Sequence, residues 1–427
     1  MKGKTAEVTR RLFLKGAAAL AAAPYIIPAT ALGGEGRAAP SERIVMGGIG
    51  IGGRGTHDLR MLMRNPEVQF VAVADPRKDN RERAKAAIDK QNGNEDCKTY
   101  IDLRELLARK GIDAVLIATG DRWHAVASVW AMRAGKDVFC EKPCSMWIGQ
   151  GQALRDTAKQ FGRIYQAGTQ RRSEEPFVFA MELARTGKLG KLHTMTAHIM
   201  AQLSEKREFP AEPEPPKEEF NWDLYLGPAP WRPYNKAYRN WHWHYDLHGG
   251  GIPEWGSHTI DMCQWANDTD NSGPIEYEFP NNDTGEGFTA RYANGVKLVL
   301  KGGNVFPGSC GIKFEGSEGW AECSDGHNTT FSPESLAGER AQIIKEYKER
   351  TGRALDHYRN FLDCVKSRKP SVAPAATAHR SVGACHVANI AMELKRNVKW
   401  DPAKEEFPGD EEANKMRSRP YRTPYTV

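Results

Sequence analysis

Glu254, His258 and Asp261 stand at spacings of 0, +4 and +7 in one segment, and Trp265 extends the series to +11. In a helix these positions share one face. A carboxylate one turn from an imidazole can orient the ring and set its tautomer. His258 is then a candidate general base for a hydroxyl proton, since an unperturbed imidazole titrates near pH ~6.5. The plainer reading is a helix-capping acid beside a core histidine. Just upstream, Trp241-His242-Trp243-His244-Tyr245-Asp246, with Trp231 nearby, precedes the glycines Gly249 to Gly251. Aromatic faces suit the C–H face of a sugar, and the polar tips suit its hydroxyls. Trp241 and Trp243 are the candidate contacts, against an ordinary aromatic core. His242, His244, His248 and His258 could also be read as metal ligands. Their spacing matches no common site, so no metal is expected.

The element that would hold a reaction partner beside them lies at residues 43–75. An apolar run, Ile44 to Ile49, leads into a glycine cluster; a helical pattern follows, then a second apolar run, Val68 to Ala74, which ends on Asp75. Strand, glycine turn, helix, strand and acid, in that order, make a dinucleotide-binding βαβ unit. Gly50 permits the tight turn, Gly52 lets backbone approach a pyrophosphate, and Gly55 lets helix and strand pack closely. Gly53 and Arg54 complete the turn as candidate cofactor contacts. The helix N-terminus presents free N–H groups to the phosphates. Asp75 falls 20 residues after Gly55, where a carboxylate accepts from a ribose 2′-OH. The expected cofactor is NAD. NADP is the alternative, because Arg77 and Lys78 follow the acid closely.

The alternation of strand and helix continues. Helical patterns cover Arg81 to Lys90, Leu103 to Arg109, His124 to Ala134 and Ile148 to Phe161, and strands cover Ala114 to Thr119, Asp137 to Cys140 and Arg163 to Gly168. This implies a parallel sheet covered on both faces. Near residue 170 the texture changes. Leu192 to Ala201, Phe288 to Lys301 and Gly311 to Cys323 alternate like strands of a half-exposed sheet, and Asn294-Gly295 is a hairpin signal. The expected fold is an α/β Rossmann-type domain, 43–168, followed by an α+β domain, 169–395, with a largely antiparallel, open-faced sheet. Within it, Lys206 to Phe220 reads as a solvated loop and Ala373 to Lys395 as a late helix. A polar tail, 396–427, would wrap the surface.

Thr9-Arg10-Arg11-Leu12-Phe13-Leu14-Lys15 looks like a twin-arginine export signal, followed by an Ala-rich stretch and a small-residue cleavage site at Ala29-Thr30-Ala31. Residues 1–33 are therefore expected to be a signal peptide, with a periplasmic or otherwise extracytoplasmic destination. The stretch is broken by Pro24 and Pro28, so no stable membrane span is expected. The net charge of +6 is concentrated in this leader, where five cations face Glu7 alone. The rest is nearly neutral and suggests no nucleic-acid partner. Eight cysteines in a chain this long do not make a disulfide scaffold, although Cys310 and Cys323 flank a hairpin and could pair.

The nucleotide turn, Glu141-Lys142-Pro143 and Trp255-Gly256-Ser257-His258-Thr259-Ile260-Asp261, taken in order, resemble the Gfo/Idh/MocA family, which includes glucose–fructose oxidoreductase and inositol dehydrogenase. The likeness runs from about Arg43 to about Lys395 and is strongest to the exported branch. It implies an NAD(P)-dependent oxidoreductase acting on one carbon of a sugar or polyol, with a homo-oligomer, dimer or tetramer, as the expected state. It further implies that Lys142 hydrogen-bonds the reacting oxygen, where an ammonium would stabilise a developing alkoxide, and that a cis peptide precedes Pro143. Thr119, Asp121, His124, Glu141 and Pro143 are implied cofactor contacts. Glu254 is an implied catalytic residue, Asp261 an implied substrate contact. The family usually carries Asp where this chain has Glu254. Export of a nicotinamide enzyme implies a tightly held cofactor recycled in place. Two rivals use the same residues: a glycosidase that oxidises a ring carbon transiently, eliminates the aglycone and reverses the redox step, and a non-catalytic sugar- or nucleotide-binding protein.

Overall fold

The computed structural model describes residues 38–200, 204–282 and 287–427. The expected export signal lies outside these residues. From Ile44 the chain builds a parallel sheet in sequence: β1 (Ile44–Ile49), α1 (Gly53–Met63), β2 (Val68–Ala74), α2 (Lys78–Asn92), β3 (Lys98–Tyr100), α3 (Leu103–Leu107), β4 (Ala114–Ile117), α4 (Asp121–Arg133), β5 (Asp137–Cys140), α5 (Ile148–Phe161) and β6 (Tyr165–Ala167). The strand order is β3-β2-β1-β4-β5-β6. β4 and β5 are buried at every position, as strands sandwiched between helices must be. The order reverses between β1 and β4, and ligands bind such sheets at that crevice.

The second half adds α6 (Glu175–Arg185), β7 (Leu192–His198), α7 (Trp222–Leu226) and α8 (Gly251–Ala266). Next come β8 (Glu276–Glu278), β9 (Thr289–Arg291), β10 (Lys297–Lys301), β11 (Ile312–Gly316), β12 (Trp320–Cys323) and β13 (Thr330–Ser332). The chain then runs through α9 (Arg340–Thr351), α10 (His357–Ser367), α11 (Ala375–Leu394), β14 (Val398–Lys399) and α12 (Glu411–Lys415). Eight strands form one sheet, β13-β12-β11-β7-β10-β9-β8-β14. Its strands alternate buried and part-exposed residues, so one face packs on helices and the other is open. α8 and α11 lie against each other, and α8 also packs on β7. The Asn294-Gly295 hairpin joins β9 to β10 antiparallel.

The sheet is largely antiparallel, as expected, with one parallel pair, β7 with β10, where β10 lies between β7 and the hairpin strand that precedes it. Several other sequence expectations are corrected. The strand expected to Ala201 ends at His198. The helix expected from His124 begins at Asp121, directly after the Gly120 turn. Residues 206–220 are exposed along most of their length, yet their end docks on the first sheet. Lys78 N–H donates to the Glu219 carbonyl and Asn221 N–H to that of Pro76, both at 2.9 Å. α10, unread in the sequence, packs into the first sheet's core, with the Tyr358 ring stacked on Phe139 at 5.5 Å. All eight cysteines are free thiols, Cys310 and Cys323 included. No helix among the described residues is long and apolar enough to cross a membrane.

Candidate active site

A cavity of about 580 Å³ opens where β1, β2, β4 and β5 end. At its nucleotide end, Gly50 turns the chain at φ 72°, and a Cβ there would lie 2.4 Å from the Thr119 methyl. Only glycine meets both demands. A Cβ on Gly55 would sit 3.0 Å from Ala118 Cβ, which is how α1 comes to lie so close to β4. Gly52, Gly53 and Arg54 line the cavity wall. Among the described residues, nothing beyond its own helix backbone and chain neighbours lies within 4 Å of where a Gly53 Cβ would point, so this backbone is open to a ligand.

Asp75 is buried at the end of β2. Its carboxylate accepts from Arg77 N–H at 2.9 Å and Asn80 Nδ2 at 3.1 Å. Burial pushes its pKa up to about 6, against those two donors. Arg77 is held by Asp79 at 2.5 Å and Lys78 by Glu219 at 2.7 Å. Arg77 also lines the cavity wall, as does Arg239. An open glycine turn with a carboxylate at the next strand end fits NAD.

Between nucleotide and reaction ends lies a charged bracket. Arg54 Nη2 meets Asp58 at 3.0 Å and its Nε meets Glu141 at 3.1 Å. Glu141 also accepts from Gln170 Nε2 at 2.8 Å, and Asp58 from the Tyr358 hydroxyl at 2.7 Å. Burial and the nearby Glu141 charge push Asp58 up to about 8. Glu141, the residue preceding Lys142, thus ties Arg54 to Gln170. Thr119 lines the wall. His124 bridges the carbonyls of Pro143, at 2.8 Å, and Thr119, at 3.2 Å, fixing two loops to each other. The Lys142–Pro143 peptide is cis. Trp123 lines the cavity and is packed in place: its N–H donates to the Leu224 carbonyl, and Trp130 and Tyr425 meet it edge-on.

At the reaction end, Lys142 Nζ donates to Glu254 Oε1 at 2.7 Å and to the Glu254 carbonyl at 3.0 Å. Burial alone would lower the lysine's pKa; the Glu254 charge reverses this and raises it. Burial also opposes the Glu254 carboxylate, but His248 and Lys142 hold it well below the usual carboxylate range. Glu254 is therefore turned to Lys142 and His248 and does not orient His258, contrary to the one-face expectation. His258 is 5% exposed and lines the cavity, and its Nδ1 has no hydrogen-bond partner among the described residues. Burial, then Arg171, Lys142 and Arg54, lower its pKa well below 6.5. A neutral imidazole with a vacant lone pair or N–H is suited to exchanging a proton with a ligand hydroxyl.

Two expected substrate contacts lie elsewhere. Asp261 is 1% exposed and sits in an ion pair with Arg172, at 2.6 Å, while Ser381 donates to it at 2.6 Å. It shares a stripe with Glu254, but seven residues carry it about 10 Å along the axis, away from the cavity. Trp243 adopts φ 65° and packs edge-on against His248, off the cavity wall. Trp241 does line the cavity, stacked on His242 at 4.1 Å. The four histidines read as a metal set do not converge; instead Asp121, His248 and Glu254 do, with ligand atoms within 4.8 Å of one another. The sequence reading had also missed Gln170, Arg171, Tyr225 and Arg239 as wall residues. Gln170 and Arg171 directly follow β6 at the ligand edge of the sheet, a signal that could have found them. Tyr225 and Arg239 arrive on a long excursion that carries no local signature.

A Rossmann sheet whose glycine turn and carboxylate share one cavity with a lysine, a carboxylate and a neutral histidine is the arrangement of a nicotinamide-dependent oxidoreductase. Residues 43–169 match the oxidoreductase family's NAD-binding Rossmann fold, and residues 201–427 match its C-terminal alpha/beta domain. The chain belongs to the Gfo/Idh/MocA oxidoreductase family. Inositol 2-dehydrogenase of Salmonella typhimurium is 33% identical over 145 residues, 34% of this chain and 42% of that protein. A glycosyl hydrolase family 109 protein of Stenotrophomonas maltophilia is 29% identical over 228 residues, 52% of this chain and 48% of that protein. The chain thus spans less than half the length of these curated relatives. Aldose-aldose oxidoreductase of Caulobacter crescentus superposes with a TM-score of 0.55 at 16% identity, covering 84% of this chain and 99% of that one. At that identity the likeness is one of fold.

Proposed function

We propose that the protein oxidises or reduces one carbon of a sugar or polyol, using NAD. The observation that carries this is the Lys142–Glu254 pair, at 2.7 Å, in one cavity with the neutral His258 and the open glycine turn. When bound, the nicotinamide would accept the hydride in its oxidised form during substrate oxidation and supply it in its reduced form during substrate reduction. Lys142 would donate to the substrate oxygen and stabilise negative charge as it develops. His258 would take the hydroxyl proton during oxidation and return it during reduction. Trp241 offers a flat apolar face for the ring carbons, and Glu141 with Gln170 brackets the loop that carries the lysine. Inositol 2-dehydrogenase among the relatives supports a polyol or sugar as substrate. Export before residue 34, a tightly held and recycled cofactor, and a homo-oligomer belong to the same reading.

The test is to purify the protein, identify any nucleotide released on denaturation, and follow the absorbance of reduced nicotinamide with a panel of inositols and aldoses. Absorbance change with at least one of them is expected. No change with any, while glycosides are cleaved in the presence of NAD, would favour the second reading, an NAD-dependent glycosidase. That reading rests on the glycosyl hydrolase family 109 relatives, whose alignment extends past the nucleotide domain.

A further inference from the structure

Resting on that oxidoreductase reading, we infer that His248 is a positioning residue locked in a single tautomer, donating from Nε2 to Glu254 and thereby holding the carboxylate that grips Lys142. His248 is 1% exposed. Its Nδ1 accepts from two backbone N–H groups, those of Trp243 and Gly250, each at 3.2 Å. Both donors come from unusual backbone: Trp243 at φ 65° and Gly250 at φ 94°. A non-glycine residue in that region, an aromatic one above all, is an outlier that invites a functional reading. Two N–H groups aimed at one ring nitrogen leave it no proton. The ring's proton therefore sits on Nε2, which lies 3.2 Å from Glu254 Oε2.

The lock has two consequences. Glu254 receives Lys142 on one oxygen and His248 on the other, so its geometry is set from both sides. A divalent cation among Asp121, His248 and Glu254 would need Nε2 bare and Nδ1 protonated, facing two donors. The same geometry that gathers these three groups thus disfavours a metal there. Asp121 has another partner, accepting from Gly249 N–H at 2.9 Å. The titratable and charged groups facing this centre are Lys142, Glu254, Asp121, His242 and Glu141.

Two measurements decide the matter. The first is the ¹⁵N spectrum of the full chain labelled at histidine, with His248 assigned from H248Q, with and without equimolar Zn²⁺. A bare Nδ1 and protonated Nε2, unmoved by Zn²⁺, is expected. A protonated Nδ1, or a Zn²⁺-induced shift at Nε2, overturns the lock. This readout uses no substrate, so it stands even if the oxidoreductase reading fails. The second is the pH profile of kcat. H248A should lose about tenfold in kcat, as for one lost hydrogen bond to a charged group, with KM little changed. Its acid limb should move upward, because Glu254 loses a donor to its ionised form and protonates more readily. H248Q, which keeps an N–H near the Nε2 position, should restore most of both. An H248A profile that overlays the wild type, or loss of folded protein in H248A without rescue of kcat in H248Q, overturns the positioning role.

Discussion

The two ends of the cavity are built in opposite ways. The nucleotide end comes from one continuous stretch, Gly50 to Asp75, in which each part has a local reason. The reaction end is gathered from the loop after β4, the loop after β5, the turn after β6, the excursion before α8 and the first turns of α8 itself. Its central contact, Lys142 to Glu254, joins residues 112 apart in sequence. A βαβ unit can specify its ligand site by itself because the turn is part of its own folding. A proton-handling site needs groups from different elements, since each must hold another at a set distance in a dry place.

The largest effect expected is at the lysine. Lys142→Met should cut kcat by about 10²–10³, the loss for one group stabilising developing charge, while NAD binding stays near wild type. Steady-state rates and nucleotide titration check both halves. Turnover near wild type would separate the two ends of the cavity altogether and remove Lys142 from the chemistry.

Asp261 sharpens the contrast between what surrounds the site and what acts in it. Asp261→Ala leaves Arg172 buried with Asp270 as its remaining carboxylate, at 2.7 Å. Breaking a buried pair by removing one partner costs about 3 kcal/mol of stability. Urea unfolding should register that loss, while kcat per folded molecule changes little. A kinetic defect without a stability defect would return Asp261 to the substrate.

The reaction end should also leave its mark on pH dependence. Burial holds His258 well below 6.5 and His357 at about 4. Both stay neutral in the folded protein where an exposed histidine would already be charged. The unfolded chain takes these protons first, so stability should fall as pH drops below about 6.5, and the His357 contribution should level off near 4. Denaturation midpoints between pH 7 and 4 test this. For the same reason, kcat for oxidation should show no acid limb centred near pH ~6.5. Such a limb, abolished by His258→Ala, would mean that His258 titrates as an exposed group.

How far the sequence could be read follows the same divide. Gly50, Gly55 and Asp75 were legible because turn, close packing and strand end are local demands. The strands of the first sheet were legible because residues buried on both faces write continuous apolar runs. Glu254 and His258 were legible as a helical pair, yet the pairing itself was wrong: periodicity says which side chains share a face and nothing about what approaches that face. Lys142 and His248 arrive there from loops. α10 was invisible for a related reason, since its apolar face matches a sheet formed some 200 residues earlier. The aromatic run 241–246 drew attention for its ring faces, whereas Trp243 contributes a backbone N–H.

The smallest effect expected concerns nucleotide choice, and it tests whether the local end of the cavity is as self-contained as it looks. Asp75 accepts from Arg77 N–H and Asn80, so its carboxylate is held in place before any ligand arrives. A ribose 2′-OH can donate to it, whereas a 2′-phosphate would meet like charge. The two cations that follow Asp75 in sequence are engaged by other carboxylates, Arg77 by Asp79 and Lys78 by Glu219. NAD(H) should therefore bind more tightly than NADP(H), by about tenfold for one charged contact. Because burial raises Asp75 to about 6, the carboxylate is ionised at pH 7 and largely protonated by pH ~5, so the preference should narrow on acidification. Asp75→Ser should narrow it at every pH, and Asp79→Asn, which frees Arg77, should narrow it less. Dissociation constants for both nucleotides at the two pH values check all three. Tighter NADP(H) binding at pH 7 would mean that Arg77 or Arg239 from the distant excursion governs the choice, and that the nucleotide end, too, is assembled from afar.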